Sequence, residues 1–338
     1  MDVLIIVYVR MQIKFLFRRV SAYWKRDGGQ PPVGGDVASQ ETGFVQGGTM
    51  TRSIPAIIER LRQRIIPAMR GSFVMLGIGW ASLWGTAFGA SPGDMIDLDG
   101  RTLLFDEEFD RLSVSPHGAD TVWSAHTPWG GDFGDAAFRD KEPGLPFSVR
   151  DGILRIEMRK TADGKWQSGL LSSSPGYGRG FTAPYGYFEM RARLPAGDGV
   201  WPAFWLDELT PAGSGKHSLE VDIIEHYGRF PAAYNTTVTE WNPKNSHENH
   251  SQMHIQPVPS GSLSQAFHTY GAEVTPQWVI FYFDRREIWR TPAPSRPLGG
   301  LDVLVDLGLG GGWPIDKAPS PAIMEVDYVR VYQSRKAP

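Results

Sequence analysis

Six consecutive residues, Glu220-Val221-Asp222-Ile223-Ile224-Glu225, set three carboxylates into an apolar stretch that otherwise reads as a buried β-strand. Acids are expensive to bury, because a charge taken out of water must be paired or neutralised. Two carboxyl groups facing one another across a cleft are what glycosidic bond cleavage requires, one as proton donor and the other as nucleophile or base. Side chains two apart share a face of a strand, so Glu220 and Asp222 point the same way. Glu225 is five residues from Glu220, and an unbroken strand would turn it to the opposite face. A one-residue β-bulge restores the facing, and bulges are common beside active sites. With a bulge, all three acids line one surface, while Val221 and one of the two isoleucines turn into the core. The competing reading is an edge strand with solvated acids, and the surrounding residues weigh against it.

Upstream of the acids lie Tyr185-Gly186-Tyr187-Phe188-Glu189-Met190-Arg191-Ala192-Arg193-Leu194-Pro195 and Gly199-Val200-Trp201-Pro202-Ala203-Phe204-Trp205-Leu206. Downstream are Phe267-His268-Thr269-Tyr270-Gly271, Phe281-Tyr282-Phe283-Asp284, Gly310-Gly311-Gly312-Trp313-Pro314 and Val326-Asp327-Tyr328-Val329-Arg330-Val331-Tyr332. In this order the segments resemble glycoside hydrolase family 16, the family of laminarinases, lichenases, agarases and carrageenases. The resemblance covers residues 97–334, and the spacing Glu-x-Asp-x-x-Glu is similar to the family's bulged branch. Within that branch, Ile224-Glu225-His226-Tyr227-Gly228 and the glycine-rich Trp313 segment look most like bacterial exopolysaccharide-cleaving endoglycanases.

The resemblance implies that Glu220 is the nucleophile and Glu225 the acid/base of a retaining mechanism. Carboxyl groups that close do not easily ionise together, so the acid/base keeps its proton near neutral pH while the nucleophile stays charged. Asp222, between them on one face, is expected to hold the nucleophile by a hydrogen bond and tune the pair's coupled titration; the alternative is a third acid binding a cation in the cleft.

Trp201 and Trp205 are four apart and share a face of an extended strand. Pro202 between them argues for an edge or a bend. A family-like role is packing the cleft floor, with one ring stacking on a sugar; the plainer alternative is core. Trp129, Trp241 and Trp313 are candidates for outer subsites. His226 points away from the acid on alternation, which suits packing. Relatives often carry a histidine where Thr239 stands, which puts substrate preference in question. His247, His250 and His254 lie on one loop, with neither cysteine nor a helical pair to support zinc. The resemblance also implies one structural calcium, held by Asp327 of the last strand and a carbonyl at Gly152; otherwise Asp327 hydrogen-bonds within its strand pair. No cofactor is required for the chemistry.

Between residues 97 and 336 short alternating runs recur, including 152–158, 187–194, 279–283 and 324–332, separated by Gly, Pro, Asp and Asn. Such runs at short spacing indicate an all-β sandwich or barrel, and no long helical periodicity interrupts them. The family resemblance implies a β-jelly roll of two curved antiparallel sheets with a concave substrate cleft.

The chain has 338 residues and a formal net charge of −3, so no polyanion-binding surface for nucleic acid is indicated. There are 12 Trp, 11 Tyr and 17 Phe among 39 Gly and 26 Pro, which suits an all-β domain with a sugar-stacking surface. Cysteine is absent, so neither disulfides nor thiol chemistry enter. Residues 50–90 carry arginines, an apolar run from Phe73 to Phe88 and then Ala87-Phe88-Gly89-Ala90, the layout of a secretory signal. The organisation expected is an upstream reading or unstructured segment at 1–49, a signal peptide at 50–90 and a catalytic domain at 91–338. The alternative is a membrane anchor through residues 71–90, with membrane contact through residues 70–90. Secretion or a periplasmic location follows from the first reading. No heptad pattern is present, and a monomer is expected. Three functions stay open: an endo-acting retaining β-glycanase, a transglycosylase on the same fold, and a non-catalytic carbohydrate-binding protein. The retention of both glutamates argues for an enzyme.

Overall fold

The computed structural model describes residues 93–333, apart from 119 and 212. The segments expected at 1–49 and 50–90, with the signal peptide or anchor, lie outside the described residues. Strands in chain order begin with β1 (Leu103–Glu107), β2 (Val114–Ser115), β3 (Trp123–Ser124), β4 (Ala137–Phe138), β5 (Phe147–Arg150) and β6 (Ile153–Lys160). Then come β7 (Trp166–Ser168), β8 (Leu170–Ser172), β9 (Gly186–Arg193), β10 (Val200–Glu208), β11 (Ser218–Glu225) and β12 (Ala233–Trp241). The last are β13 (His250–Pro257), β14 (His268–Val274), β15 (Trp278–Phe283), β16 (Arg286–Pro292), β17 (Leu301–Leu309) and β18 (Ala322–Tyr332).

Eight of these form one sheet in the order β13-β12-β11-β10-β17-β8-β3-β2. The other ten form the second, along β16-β15-β14-β9-β18-β6-β7-β4, with β1 on β18 and β5 on β6. Pairing is antiparallel except for β2 with β3 and β4 with β7. Two mostly antiparallel sheets with a common core are the all-β jelly-roll sandwich that the sequence predicts. Helix among the described residues is limited to single turns such as Ser246–Glu248 and Ser262–Gln265, none long and apolar enough to cross a membrane.

Alternation builds the core. Val200, Phe204 and Leu206 of β10, Val303, Val305 and Leu307 of β17, and Val221 of β11 meet Leu154 and Ile156 of β6, Phe188 and Met190 of β9, and Val326 and Val329 of β18. Each such side chain, fully buried, contributes about 1.5–3 kcal/mol. The β5–β6 hairpin turns on Asp151 and Gly152, at φ 53° and 74°. Both are left-handed, the type I′ geometry for which Asp-Gly is well suited.

The bulge in the acid strand is present. β10 pairs Phe204 with Ile224 and Trp205 with Asp222, so Ile223 is the extra residue. The expectation that only one isoleucine faces the core is corrected: both Ile223 and Ile224 are in it. Two bulge residues oppose one partner position, and here both are directed inward.

Of the edge or bend expected at Pro202, the edge is excluded, since β10 lies between β11 and β17. The Pro202 carbonyl accepts from His226 N at 3.1 Å, just beyond the end of β11. In an antiparallel strand the nitrogen of a residue faces the same side as its carbonyl. The missing N–H therefore points past β11, and the proline removes no ladder bond from it.

Residues 93–101 run over the outer face of the ten-stranded sheet. Ile96 N donates to Arg285 O at 2.9 Å, and Arg101 donates to Glu273 at 2.7 Å. Ile96 and Leu98 pack with Tyr187, Ile280 and Tyr282.

Candidate active site

The residues of β10, β11 and β17 that do not enter the core share the outer face of the eight-stranded sheet. On β11 these are Glu220, Asp222 and Glu225, which stand opposite Asp207, Trp205 and Ala203 of β10. Those three stand opposite Asp302, Leu304 and Asp306 of β17. On the other side β12 supplies Thr239, Thr237 and Asn235 as partners of the three acids. Directly paired side chains lie on one face, so the bulge at Ile223 is what brings Glu225 round to join Glu220 and Asp222.

Trp201 Nε1 donates to Glu225 Oε1 at 3.1 Å, and Tyr227 Oη donates to the same oxygen at 3.3 Å. Trp205 Nε1 donates to Asp306 Oδ1 at 2.8 Å. The Trp205 ring meets Trp129 at 5.9 Å and Phe133 at 6.0 Å between centroids. Trp313 joins the Trp201 end, edge-on to Phe230 at 5.0 Å, with the Arg229 guanidinium 5.7 Å from its ring centroid. Trp241 closes the opposite end of β12, paired with Ser218. All five tryptophans named from sequence thus border the face that carries the acids.

His226 is buried, with Nδ1 3.2 Å from Ala233 O. Burial pulls its imidazole down to about 4, so it is neutral and structural at physiological pH. Thr239, beside Glu220, is hydrogen-bonded to Ser251 at 3.0 Å.

The model of glycosyl hydrolases family 16 matches residues 141–298. Endo-1,3-1,4-beta-glycanase EglC of Rhizobium meliloti is 31% identical over 260 residues, covering 70% of this chain and 53% of the relative. Residues 141–298 are a glycosyl hydrolases family 16 segment. Endo-1,3-1,4-beta-glycanase ExsH of the same organism is 30% identical, over 68% of this chain and 51% of the relative. The chain thus spans about half the length of these relatives. The laminarinase catalytic domain of Thermotoga petrophila superposes with a TM-score of 0.54 at 23% identity, over 70% of this chain and 99% of that one, a likeness of fold.

Family 16 chemistry rests on carboxyl groups and needs no cofactor. Among the described residues no cluster of three or more His, Cys, Asp or Glu is suited to a metal. The calcium donors expected from sequence lie where β18 leaves β6, after Val326, and meets β1, from Val329. Glu108 O lies 3.9 Å from where a Cβ on Gly152 would sit, so backbone carbonyl and turn adjoin. Asp327, at the β18 bulge, accepts a hydrogen bond from Arg191. A carboxylate with backbone carbonyls is the donor type calcium uses. Arg191 already supplies positive charge to that carboxylate.

Asp207, Asp302, Asp306 and Tyr227 were not singled out from sequence. The signal for the aspartates was present: Leu301 to Leu309 alternates, with Asp302 and Asp306 opposite in phase to Val303, Val305 and Leu307. Asp207 continues the Trp201–Ala203–Trp205 phase in the same way. Tyr227 follows the strand end, where alternation no longer says which way a side chain points.

Proposed function

We propose that this chain is an endo-acting retaining β-glycanase that hydrolyses β-glycosidic bonds within a polysaccharide. The polymer classes it suits are β-1,3-glucan, mixed-linkage β-glucan and a bacterial exopolysaccharide. The observation that carries this reading is the bulge at Ile223, which sets Glu220, Asp222 and Glu225 on one face amid tryptophans. The names of the Rhizobium relatives, endo-1,3-1,4-beta-glycanases, favour the same polymer classes.

In this mechanism the Glu220 carboxylate attacks the anomeric carbon. Glu225 gives its proton to the glycosidic oxygen as the carbon–oxygen bond breaks. The products of this step are a free chain end and a glycosyl ester on Glu220. Water then attacks the anomeric carbon, Glu225 takes its proton, and the ester bond to Glu220 breaks. Two inversions leave the β configuration. Asp222, between the two on the same face, holds the nucleophile in place. Trp205, Trp129, Trp241 and Trp313 supply apolar faces on which pyranose rings stack.

Calcium at Asp327 and Gly152 is a stabiliser in this reading and takes no part in the chemistry. Export follows from the pattern of residues 50–90, and the N-terminal mass of the protein recovered from the medium tests it.

The deciding experiment is reducing-end release by the purified protein from a panel of β-glucans, galactans and bacterial exopolysaccharides, with Glu220→Gln as control. Oligosaccharide release from one polymer, lost in the control with the fold intact, supports the glycanase. Binding without release points to a carbohydrate-binding protein, and products longer than the substrate point to a transglycosylase.

A further inference from the structure

We infer that Trp201 and Tyr227 are positioning residues that together fix the Glu225 carboxyl through Oε1 and leave Oε2 to carry the proton given to the leaving oxygen. This rests on the glycanase reading above and specifies how its acid/base is held.

The two donors converge on one oxygen. Trp201 Nε1 and Tyr227 Oη lie 3.1 and 3.3 Å from Glu225 Oε1. They come from different elements, β10 and the turn after β11, yet they form one unit. Their rings stack with centroids 5.7 Å apart at 13°, and Phe133 meets the indole edge-on at 5.7 Å. Two glycines make room for the stack. A Cβ on Gly308, the residue opposite Trp201, would come 2.9 Å from Cε3 of the indole. A Cβ on Gly311 would come 2.7 Å from Trp201 Cδ2 and 2.8 Å from Tyr227 Cε1. Real Cβ atoms are not found so close to rigid rings, so both positions exclude side chains.

The chemistry follows from which oxygen is occupied. A carboxyl oxygen that accepts two hydrogen bonds carries its proton on the other oxygen. In the first step that proton leaves Oε2 for the glycosidic oxygen, and negative charge develops on Glu225. Hydrogen bonds from donors favour the charged form, so both bonds strengthen as the proton departs, and that is stabilisation of the transition state. The acids that face Glu225 act in the opposite sense. They are Asp222 and Glu220 on its own strand and Asp306 on β17 across Ala203. On β12 the facing residue is the neutral Asn235.

Tyr227→Phe removes one donor and keeps the ring. The variant is expected to lose about tenfold in kcat on polymer, the scale of one hydrogen bond to a charged group, with Tm unchanged. The alkaline limb of its kcat/KM profile should move to higher pH, because the ionised carboxyl is less favoured. With a dinitrophenyl β-oligoglucoside, whose leaving group departs without a proton, the loss in the glycosylation step should largely vanish. A variant with the wild-type pH profile, and equal losses on polymer and aryl glycoside, would overturn the assignment and leave Tyr227 as packing. A wild-type enzyme that cleaves no polymer would instead overturn the glycanase reading itself.

Discussion

Asp207 of β10 stands directly opposite Asp302 of β17, two carboxyl groups on adjacent strands of the sheet that carries the catalytic acids. Glu220 is the partner of Asp207 on its other side, so three acids run in one row across three strands. Like charges so placed repel. Asp302 is fully buried, and Ser172 Oγ donates to its Oδ2 at 2.7 Å. Burial, and then the charge on Asp207, hold the Asp302 carboxyl well above the usual carboxylate range; the Ser172 bond works the other way. Neutral Asp302 relieves the repulsion.

A consequence for stability follows by linkage. The folded protein holds the Asp302 proton at pH values where the unfolded chain, with an ordinary aspartate near 3.9, has released it. Native protein then binds more protons than unfolded protein, so stability falls as pH rises from the unfolded value toward the folded one. Asp302→Asn keeps a neutral, hydrogen-bonding group of the same shape and should flatten that decline. Thermal melts from about pH 4 to pH 8 would show it; a variant curve parallel to wild type would contradict it.

The bulge residue can be tested by its length. Deleting Ile223 leaves Glu220, Asp222 and the final glutamate at regular two-residue spacing, so all three still face outward. The deletion variant should fold and retain reduced but measurable hydrolysis. Inserting one alanine after Ile223, by contrast, also gives an even spacing and keeps Glu225 facing outward, but carries it two positions further along the sheet, about 6.6 Å. That variant should unfold cooperatively yet lose activity, because the two carboxyl groups no longer flank one bond. Equal activity in the two variants would show that the separation set by the bulge is not what the chemistry needs.

Glu225→Ala should lower turnover on polymer by about 10²–10⁴-fold, the range of general acid–base catalysis. With a dinitrophenyl β-oligoglucoside, whose leaving group departs without a proton, azide, needing no base, should restore the second step and give a β-configured glycosyl azide. An α-configured product would mean that attack by Glu220 on the anomeric carbon does not precede attack by the anion.

If calcium occupies the junction of β1, β6 and β18, chelation by EGTA should lower Tm by several degrees, and Asp327→Ala should remove that response. Activity below the melting range should be unaffected by either. An identical Tm with EGTA and with added calcium would assign Asp327 wholly to its ion pair with Arg191.

The acid strand is legible because period-two alternation is a strong signal: Val221 between two acids, and Glu225 out of phase, point to a bulge. The sandwich is legible for the same reason, from runs such as Ile153 to Met158. Three things are not. Pro202 reads as an edge or a bend, because a local rule does not know that the neighbouring strand ends beside it. Asp302 and Asp306 read as ordinary polar positions of an alternating strand, because nothing local says that their face is covered. Tyr227 lies past the strand, and its bond to Glu225 depends on a stack with a residue of another strand.

The segment from Gly93 to Arg101 is anchored through Ile96 and Leu98 on the outer face of the ten-stranded sheet, while the acids lie on the outer face of the other sheet. A polypeptide begun at residue 93 and tethered there to a bead or a surface would therefore hang by its back. The cleft would face the solution, open to long polymer chains. Trimming further, to the start of β1, would strip Tyr187 and Tyr282 of their cover and create a sticky patch on the side turned to the support.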